Sequence, residues 1–366
     1  MNHFQQILTV EDKIKIDTSN KKKRFSQSTL SFANGGESKR KRTLSVGKTI
    51  TLYTKEEIEN TLSTIRVFPD FLPDDLANTM IDALRRKRLS FKDKEFYIAG
   101  RLCRPSQKSI IFSTPENMHL EDLYSENDMK LEEFFPELYM AKACVDKEVN
   151  KALESLTNSH PFQIHQNWKS DVCIGNYFPD NKSHLDWHSD KLSNIGPLPT
   201  ITSLSFGATR IFRLRPIIPK NSVIYNIVIP NNTLLIMLPG TQELYKHSVP
   251  TLCNSLLEKH PILNEQRFSL TFRMLHPVFI QNPTRCEICS NKMILRRIYK
   301  ETHNNGYYMW ICTNNNNGKK CMVFQYAKLD ELYHLMNGGD GSTIISTEKE
   351  ICLKSTTKNG ASKWKP

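Results

Sequence analysis

Within the run NKSHLDWHSD, His188 and Asp190 stand two residues apart, a spacing that turns both side chains to one side of an extended strand. An imidazole and a carboxylate so placed are two of the three donors of a facial non-haem Fe(II) site. That site needs two histidines and one carboxylate and leaves the other positions open. By itself a His-x-Asp is a weak signal, since most such pairs are a loop histidine beside an exposed carboxylate. The third donor must come from another segment, and His247, His260 and His276 all lie downstream. His247 ranks first: it follows the apolar run NTLLIMLPG directly, where a loop can return it to the metal. His260 and His276 each precede a proline near a chain turn.

Arg267 and Arg273 bracket the run RFSLTFR. Six residues apart on a strand they face the same side, and guanidinium forks suit the carboxylates of a dicarboxylate cosubstrate. Two exposed arginines on a sheet face are the plainer account of that pair in isolation. A second cluster is made of sulfur. Cys286 and Cys289 arrive as CEIC, followed by Cys312 and Cys321, a donor set for one tetrahedral Zn(II). His303 lies nearby as a possible substitute ligand, but four sulfurs suffice. With little apolar material in 281–330, a metal is expected to be needed for folding there.

These residues need a scaffold, and 366 residues are enough for a catalytic domain with a sizeable core and a smaller module. FPDFLPDDLANTMIDALRR predicts a helix opening at Pro73-Asp74, with Leu76, Ala77, Met80 and Leu84 on its apolar side. LEEFFPELYMAKACVDKEVNKALESL predicts a second. After residue 160 come short β-rich runs: DVCIGNYF, TITSLSFG, RIFRLRP, VIYNIVI, NTLLIMLP and RFSLTFRML. Helices first and strands later indicate an α+β unit whose helices cover an antiparallel sandwich or jelly roll. The expected division is a basic tail over 1–52, a catalytic domain over 53–280, a zinc finger over 281–330 and a polar tail over 331–366. Trp364 stands alone in that last segment, with no role assigned to it.

The N-terminal tail reads as disordered: residues 1–49 hold eleven Lys or Arg against four Asp or Glu. Its two basic runs, Lys21–Arg24 and Lys39–Arg42, read as nuclear import signals, and no apolar core of a signal peptide is present. No apolar run has the length of a transmembrane helix. A nuclear protein without a membrane partner, and a monomer, is expected. In a reducing compartment the nine cysteines are thiols or metal ligands rather than disulfides. The net charge of +12 points to a polyanionic partner. Gln27–Ala33 is a near miss to the peptide that sliding clamps bind, with Phe32 one position early and unpaired. A Ser-rich linker accounts for it better, and a clamp is carried as a partner on that partial match alone.

Taken in order, His-x-Asp, a later His and the paired-Arg strand resemble the AlkB family of Fe(II)/2-oxoglutarate dioxygenases over roughly residues 65–280. The matching strings are NYFPDNKSHLDWHSD, PTITSLSFGATRIFRLR, NTLLIMLPGTQELYKHSVP and RFSLTFR. The resemblance implies a double-stranded β-helix, with His188, Asp190 and His247 as iron ligands. It further implies that Arg267 pairs with the far carboxylate of 2-oxoglutarate, that Arg273 lies near the iron-chelated end, and that Tyr177 hydrogen-bonds the cosubstrate. The family's Asn-x-Tyr appears here as Gly175-Asn176-Tyr177, with Asn176 displaced by one position. Acidic residues usually follow the ligand aspartate in repair members, whereas this chain has Lys191 and Leu192; Asp186, just upstream, is a candidate to compensate.

The reaction so implied is oxidative demethylation of N-alkylated bases in DNA, on a flipped or single-stranded base, releasing formaldehyde and succinate. Trp187 is then a stacking candidate. Arg101, Arg104 and Lys108, in GRLCRPSQKSIIF, fall where the family has its nucleotide-recognition lid. The competing readings are an RNA demethylase and a non-catalytic nucleic-acid-binding protein on a decayed dioxygenase fold. The cysteine segment resembles the GRF-type zinc finger through GYYMWIC and KCMVFQY, with Tyr307 at its signature arginine. Such fingers grip single strands, which implies that role for Arg296, Arg297, Lys300 and Tyr308.

Overall fold

In the computed structural model, which describes residues 48–364 apart from 94–95, 99–100, 104–105, 124–130, 158–159, 220–221, 254–257, 300–302, 304, 317–318, 322 and 339–352, the apolar runs form two facing sheets. The major sheet contains β2 (Ile65–Phe68), β5 (Lys108–Ser113), β6 (Leu131–Glu133), β7 (Val172–Phe178), β9 (Ile201–Gly207), β12 (Thr233–Met237) and β14 (Arg267–Arg273), in the order β2-β12-β9-β14-β7-β5-β6. The minor sheet contains β1 (Thr49–Leu52), β8 (Leu185–His188), β10 (Arg210–Pro216), β11 (Ile224–Ile229) and β13 (Tyr245–Val249), in the order β1-β11-β10-β13-β8. A separate hairpin pairs β3 (Phe96–Ile98) with β4 (Arg101–Cys103). From β7 to β14 the chain places its first, third, sixth and eighth strands in the major sheet and the other four in the minor one. That alternation makes the expected jelly roll.

Strand periodicity decides what each face does. On β14, Phe268, Leu270 and Phe272 point outward and join a buried cluster with Ala77, Met80 and Leu84 of helix α2 (Asp74–Lys87) and Leu138, Ala141 and Val145 of α3 (Pro136–Glu154). The alternate residues, Arg267, Ser269, Thr271 and Arg273, face the minor sheet. The space between the sheets is closed by Phe178, Ile201, Phe212, Leu214, Ile227, Leu235 and Val249, and by Ile58 of α1 (Lys55–Thr61). Capping of α1 is reciprocal: Thr54 Oγ1 accepts from the Glu57 N–H, and the Glu57 carboxylate accepts from the Thr54 N–H.

The described residues belong to one unit, and Met1–Val46, with the basic runs and the candidate clamp peptide, lies outside the described residues. The cysteine segment builds a third sheet, β15 (Ile294–Arg297), β16 (Tyr308–Ile311), β19 (Phe324–Ala327) and β20 (Lys354–Ser355), with the small hairpin β17 (Asn315–Asn316) and β18 (Lys319–Lys320). It does not stand apart as a finger followed by a polar tail. Trp310, Tyr308, Leu332 and Tyr333 of α6 (Asp330–Gly338), Leu353 and Trp364 share one buried cluster with Phe162, Leu192 and Leu198. A four-thiol module has too little apolar surface to enclose its own core, and this one completes its core against the jelly roll. Trp364, unassigned in sequence, is 7% exposed. No helix of the described residues is long and apolar enough to cross a membrane.

Candidate metal and cosubstrate site

The two strands that carry the histidines are short and polar, and they pair with each other. His188 at the end of β8 lies opposite His247 of β13, with Leu214 of β10 next in register. His247 is therefore a strand residue rather than the loop residue its sequence suggested. Asp190 follows two residues beyond the strand end. Its carboxylate lies 3.7 Å from His188 Nε2 and 3.9 Å from His247 Nε2, and the three donor atoms all fall within 4.8 Å of one another. The alternatives are excluded by their surroundings. His260 Nδ1 accepts the Ile262 and Leu263 N–H groups of its own turn. His276 caps α5 (Pro277–Gln281) and stacks on Phe279 at 3.8 Å.

The protonation states suit a divalent metal. His188 Nδ1 stands 2.7 Å from the Asp186 carbonyl; a carbonyl only accepts, so Nδ1 is the donor there, and Nε2 is the ring nitrogen turned toward Asp190. Burial, with His188 and Arg273 adding to it, lowers His247 to about 3, a neutral imidazole. Burial alone would raise Asp190, but Arg273 beside it, together with His247 and His188, outweighs that and holds the carboxyl at about 2. Arg273 Nε and Nη2 donate to one Asp190 oxygen at 3.0 and 2.6 Å, leaving the other turned to the histidines. Two neutral-capable imidazoles and one ionised carboxylate on one side of a point are the Fe(II) donor set.

At the other end of β14, Arg267 is 3% exposed. Its Nη2 donates to Ser205 Oγ at 2.7 Å, while Nε and Nη1 have no partner among the described residues. Two unsatisfied N–H groups of one guanidinium, buried in a polar strip with Ser203, Ser205 and Ser269, have the geometry and charge to receive a carboxylate. Gly207 lies opposite Arg267 with φ +102°, and a Cβ there would stand 2.3 Å from the Gln266 carbonyl. Glycine is required at that position.

On β7 the register overturns one expectation. Asn176 lies opposite Ser269, and Phe178 lies opposite Arg267, so these two face the inside. Tyr177 points outward, stacks on Phe268 at 4.7 Å and donates to Gln266 Oε1. It does not reach the cosubstrate strip. The asparagine is not displaced: the same-face pair is Asn176 and Phe178, and the second member carries no hydroxyl.

The lid residues fare unevenly. Lys108 pairs with Asp93 at 3.2 Å on the outward face, Arg101 lies in β4, and Arg104 and Lys300 lie outside the described residues. Trp187, adjacent to His188 on the strand, points to the opposite face, where Arg215 covers its ring at 4.4 Å. Leu192 is 5% exposed in the cluster under the cysteine module, so its departure from an acidic type reflects packing rather than substrate. Asp186, the proposed compensation, is almost wholly exposed.

A family described as the 2OG-Fe(II) oxygenase superfamily matches residues 64–273. The chain belongs to that superfamily. The oxygenase is also similar to the alpha-ketoglutarate-dependent dioxygenase alkB homolog 3 of Rattus norvegicus, 38% identical over 109 residues, 28% of this chain and 34% of that protein. With the Homo sapiens protein of the same name it is 35% identical over 132 residues, 34% of this chain and 43% of the other. It thus spans less than half the length of these curated relatives. The OsALKBH1 structure aligns at TM-score 0.38 and 16% identity, covering 58% of this chain and 96% of that one.

The oxygenase's four module cysteines are also within 4.8 Å of one another. Cys286 and Cys321 sulfurs lie 3.7 Å apart, and those of Cys289 and Cys312 lie 3.4 Å apart. Thiolates at about 2.3 Å from a tetrahedral ion would be roughly 3.8 Å apart, far from a disulfide at ~2.05 Å. His303 is not part of this cluster. Purified protein should carry one zinc per chain by elemental analysis. Cys312→Ser should lose it and open residues 281–330 to limited proteolysis; full zinc occupancy in that variant would refute the four-sulfur set. Two residues expected to grip nucleic acid are instead buried: Tyr308 is 0% and Arg297 7% exposed. Arg296 remains exposed.

Proposed function

We propose that this oxygenase is a nuclear nucleic-acid dealkylase, removing methyl groups from N-methylated bases such as 1-methyladenine and 3-methylcytosine in DNA. The observation that carries the reading is the likeness to alkB homolog 3 proteins, in a chain whose histidines, aspartate and arginines are set for the chemistry. A net charge of +12 supports a polyanionic substrate. When bound, Fe(II) and 2-oxoglutarate supply oxidation of the N-methyl carbon by O2, the cosubstrate leaving as succinate and CO2 and the hydroxylated carbon as formaldehyde.

In this reading His188, His247 and Asp190 would hold the metal. Arg267 would take the far carboxylate through its unpartnered Nε and Nη1 and so orient the dicarboxylate. Arg273 neutralises the Asp190 oxygen turned away from the metal and keeps the carboxylate in one orientation. For the strand itself, Tyr307 with Lys363 at 4.5 Å over its ring, and exposed Arg296, offer stacking and charge on the module. Lys191 and Lys292 border a cleft between the Asp190 loop and the module.

The decisive measurement is succinate formation and base mass with purified protein, Fe(II), 2-oxoglutarate and methylated single strands. Turnover on methylated DNA above that on RNA is expected. Higher turnover on RNA would make the enzyme an RNA demethylase. Iron-loaded protein that forms no succinate with any methylated strand would leave the dealkylase reading without support.

A further inference from the structure

The cysteine module is tied to the segments that carry two of the three metal ligands. Helix α4 (Thr241–Leu244) runs directly into β13 and His247. Its Gln242 and Glu243 are both nearly fully buried. Gln242 Oε1 accepts the Asp190 backbone N–H at 2.8 Å. Glu243 is held from the module's side: its carbonyl accepts from Arg297 Nη1 at 3.0 Å, and Oε1 accepts from the Tyr308 hydroxyl at 3.4 Å. The same Oε1 accepts the Leu198 N–H at 2.8 Å, at the end of the loop that leaves Asp190. Arg297 Nη2 donates in turn to the Trp364 carbonyl at 3.1 Å.

A second tie runs through the loop itself. Ser193 Oγ accepts the Leu295 N–H of β15 at 3.1 Å, and Leu192 and Leu198 are buried in the module's core. Gly240, at φ +95°, starts α4 against the Trp364 ring, which a Cβ would meet at 3.5 Å. Both module strands involved lie beside sulfur ligands: β16 ends at Ile311, next to Cys312, and β15 begins five residues after Cys289.

We propose that the tetracysteine module is a positioning element of the iron site, acting through Arg297 on α4 and through Ser193 on the Asp190 loop. Zinc held by the four cysteines would fix β15 and β16; Arg297 on β15 and Tyr308 on β16 fix Glu243; and Gln242, its neighbour on the same helical turn, fixes the backbone of Asp190. A freely tethered reader of nucleic acid would make none of these bonds. Partners that orient a ligand from behind change metal affinity by roughly 10- to 100-fold when removed. The inference rests on the metal-site reading and not on the identity of the substrate.

The test is Mn(II) titration of the full chain, followed by electron paramagnetic resonance, with zinc content measured in parallel. Arg297→Met should raise the Mn(II) Kd roughly 10- to 100-fold while retaining one zinc per chain. Arg297→Lys, which keeps the charge but cannot bridge both carbonyls with a fork, should fall between. Cys321→Ser, lacking zinc, should weaken Mn(II) binding as much as Arg297→Met. In both weakened variants hydrogen exchange should speed up in 189–198 and 240–247 and stay unchanged in β7 and β14. Wild-type Mn(II) affinity in zinc-loaded Arg297→Met overturns the proposal, as does uniform acceleration of exchange, the mark of general destabilisation. If Arg297→Met does not fold, Ser193→Ala decides: a several-fold rise in Kd supports the coupling and an unchanged one ends it. Failure of the wild-type chain to bind Mn(II) would instead overturn the metal-site reading.

Discussion

Asp190→Ala should reduce succinate formation by about a thousand-fold or more, equivalent to roughly 4 kcal/mol of barrier. Asp190 is the one anionic donor between two imidazoles, and Arg273 with the two histidines keeps it ionised at about 2 despite its burial. Alanine removes that donor and leaves the Arg273 guanidinium, 15% exposed, without the carboxylate that receives both its bonds. Removing one partner of a largely buried pair costs about 3 to 5 kcal/mol, so a fall in stability must be separated from a fall in turnover. Asp190→Asn separates them. Its amide oxygen still accepts from Arg273, while the neutral group is a poor metal donor, so thermal stability should be closer to wild type and turnover equally lost. Turnover of either variant within ten-fold of wild type, measured as succinate at saturating Fe(II), would remove Asp190 from the ligand set.

How much of this site was legible depended on whether a strand's own sequence fixes its faces. RFSLTFR is amphipathic by itself: Phe268, Leu270 and Phe272 alternate with Arg267, Ser269, Thr271 and Arg273, so the arginines could be placed on one side without a partner strand. VCIGNYF has no such contrast. Val172, Ile174, Asn176 and Phe178 are no more polar than Cys173, Gly175 and Tyr177, and only the pairing of Phe178 with Arg267 shows which set faces inward. The resemblance implies a cosubstrate bond from Tyr177, and the register puts that residue on the outer face. Strands β8 and β13, LDWH and YKHSV, are too short and polar to announce themselves; they are strands because His188 and His247 pair in register.

Tertiary burial decided the remaining differences. Lys191-Leu192 looked like a statement about substrate because it replaces acidic residues. Leu192 is instead enclosed by the module's core, a contact between segments about a hundred residues apart that no local pattern encodes. Trp364 was unreadable for the same reason: it sits in a polar neighbourhood of sequence and in an apolar neighbourhood of space, with its ring near His160 and Gly240. The four cysteines, by contrast, were legible because a metal site depends on donor type and count, both of which survive without knowledge of the fold.

Arg267→Met should weaken 2-oxoglutarate binding by about a hundred-fold and yet leave the ligand-free protein as stable as wild type, or more so. The two effects have one origin. Arg267 is enclosed beside a second guanidinium, Arg210, and burial with that neighbour drives its pKa down to about 9. The single bond to Ser205 and the Phe178 ring at 5.5 Å offset little of the cost of burying the cation. Methionine of similar length fills the space without that cost. A dicarboxylate reverses the balance, because its far carboxylate meets the unpaired Nε and Nη1 with charge-assisted bonds worth up to about 3 kcal/mol, about two decades in Kd. Thermal unfolding with Mn(II), with and without 2-oxoglutarate, reads both quantities. Ligand at ~100 times its Kd should stabilise wild type by about 2.7 kcal/mol and raise its Tm, while the same concentration should barely move Arg267→Met. An equal rise in Tm for both proteins would show that the cosubstrate's far carboxylate is held elsewhere. A large drop in the ligand-free Tm of Arg267→Met would show that the buried guanidinium supports the fold rather than waiting for an anion.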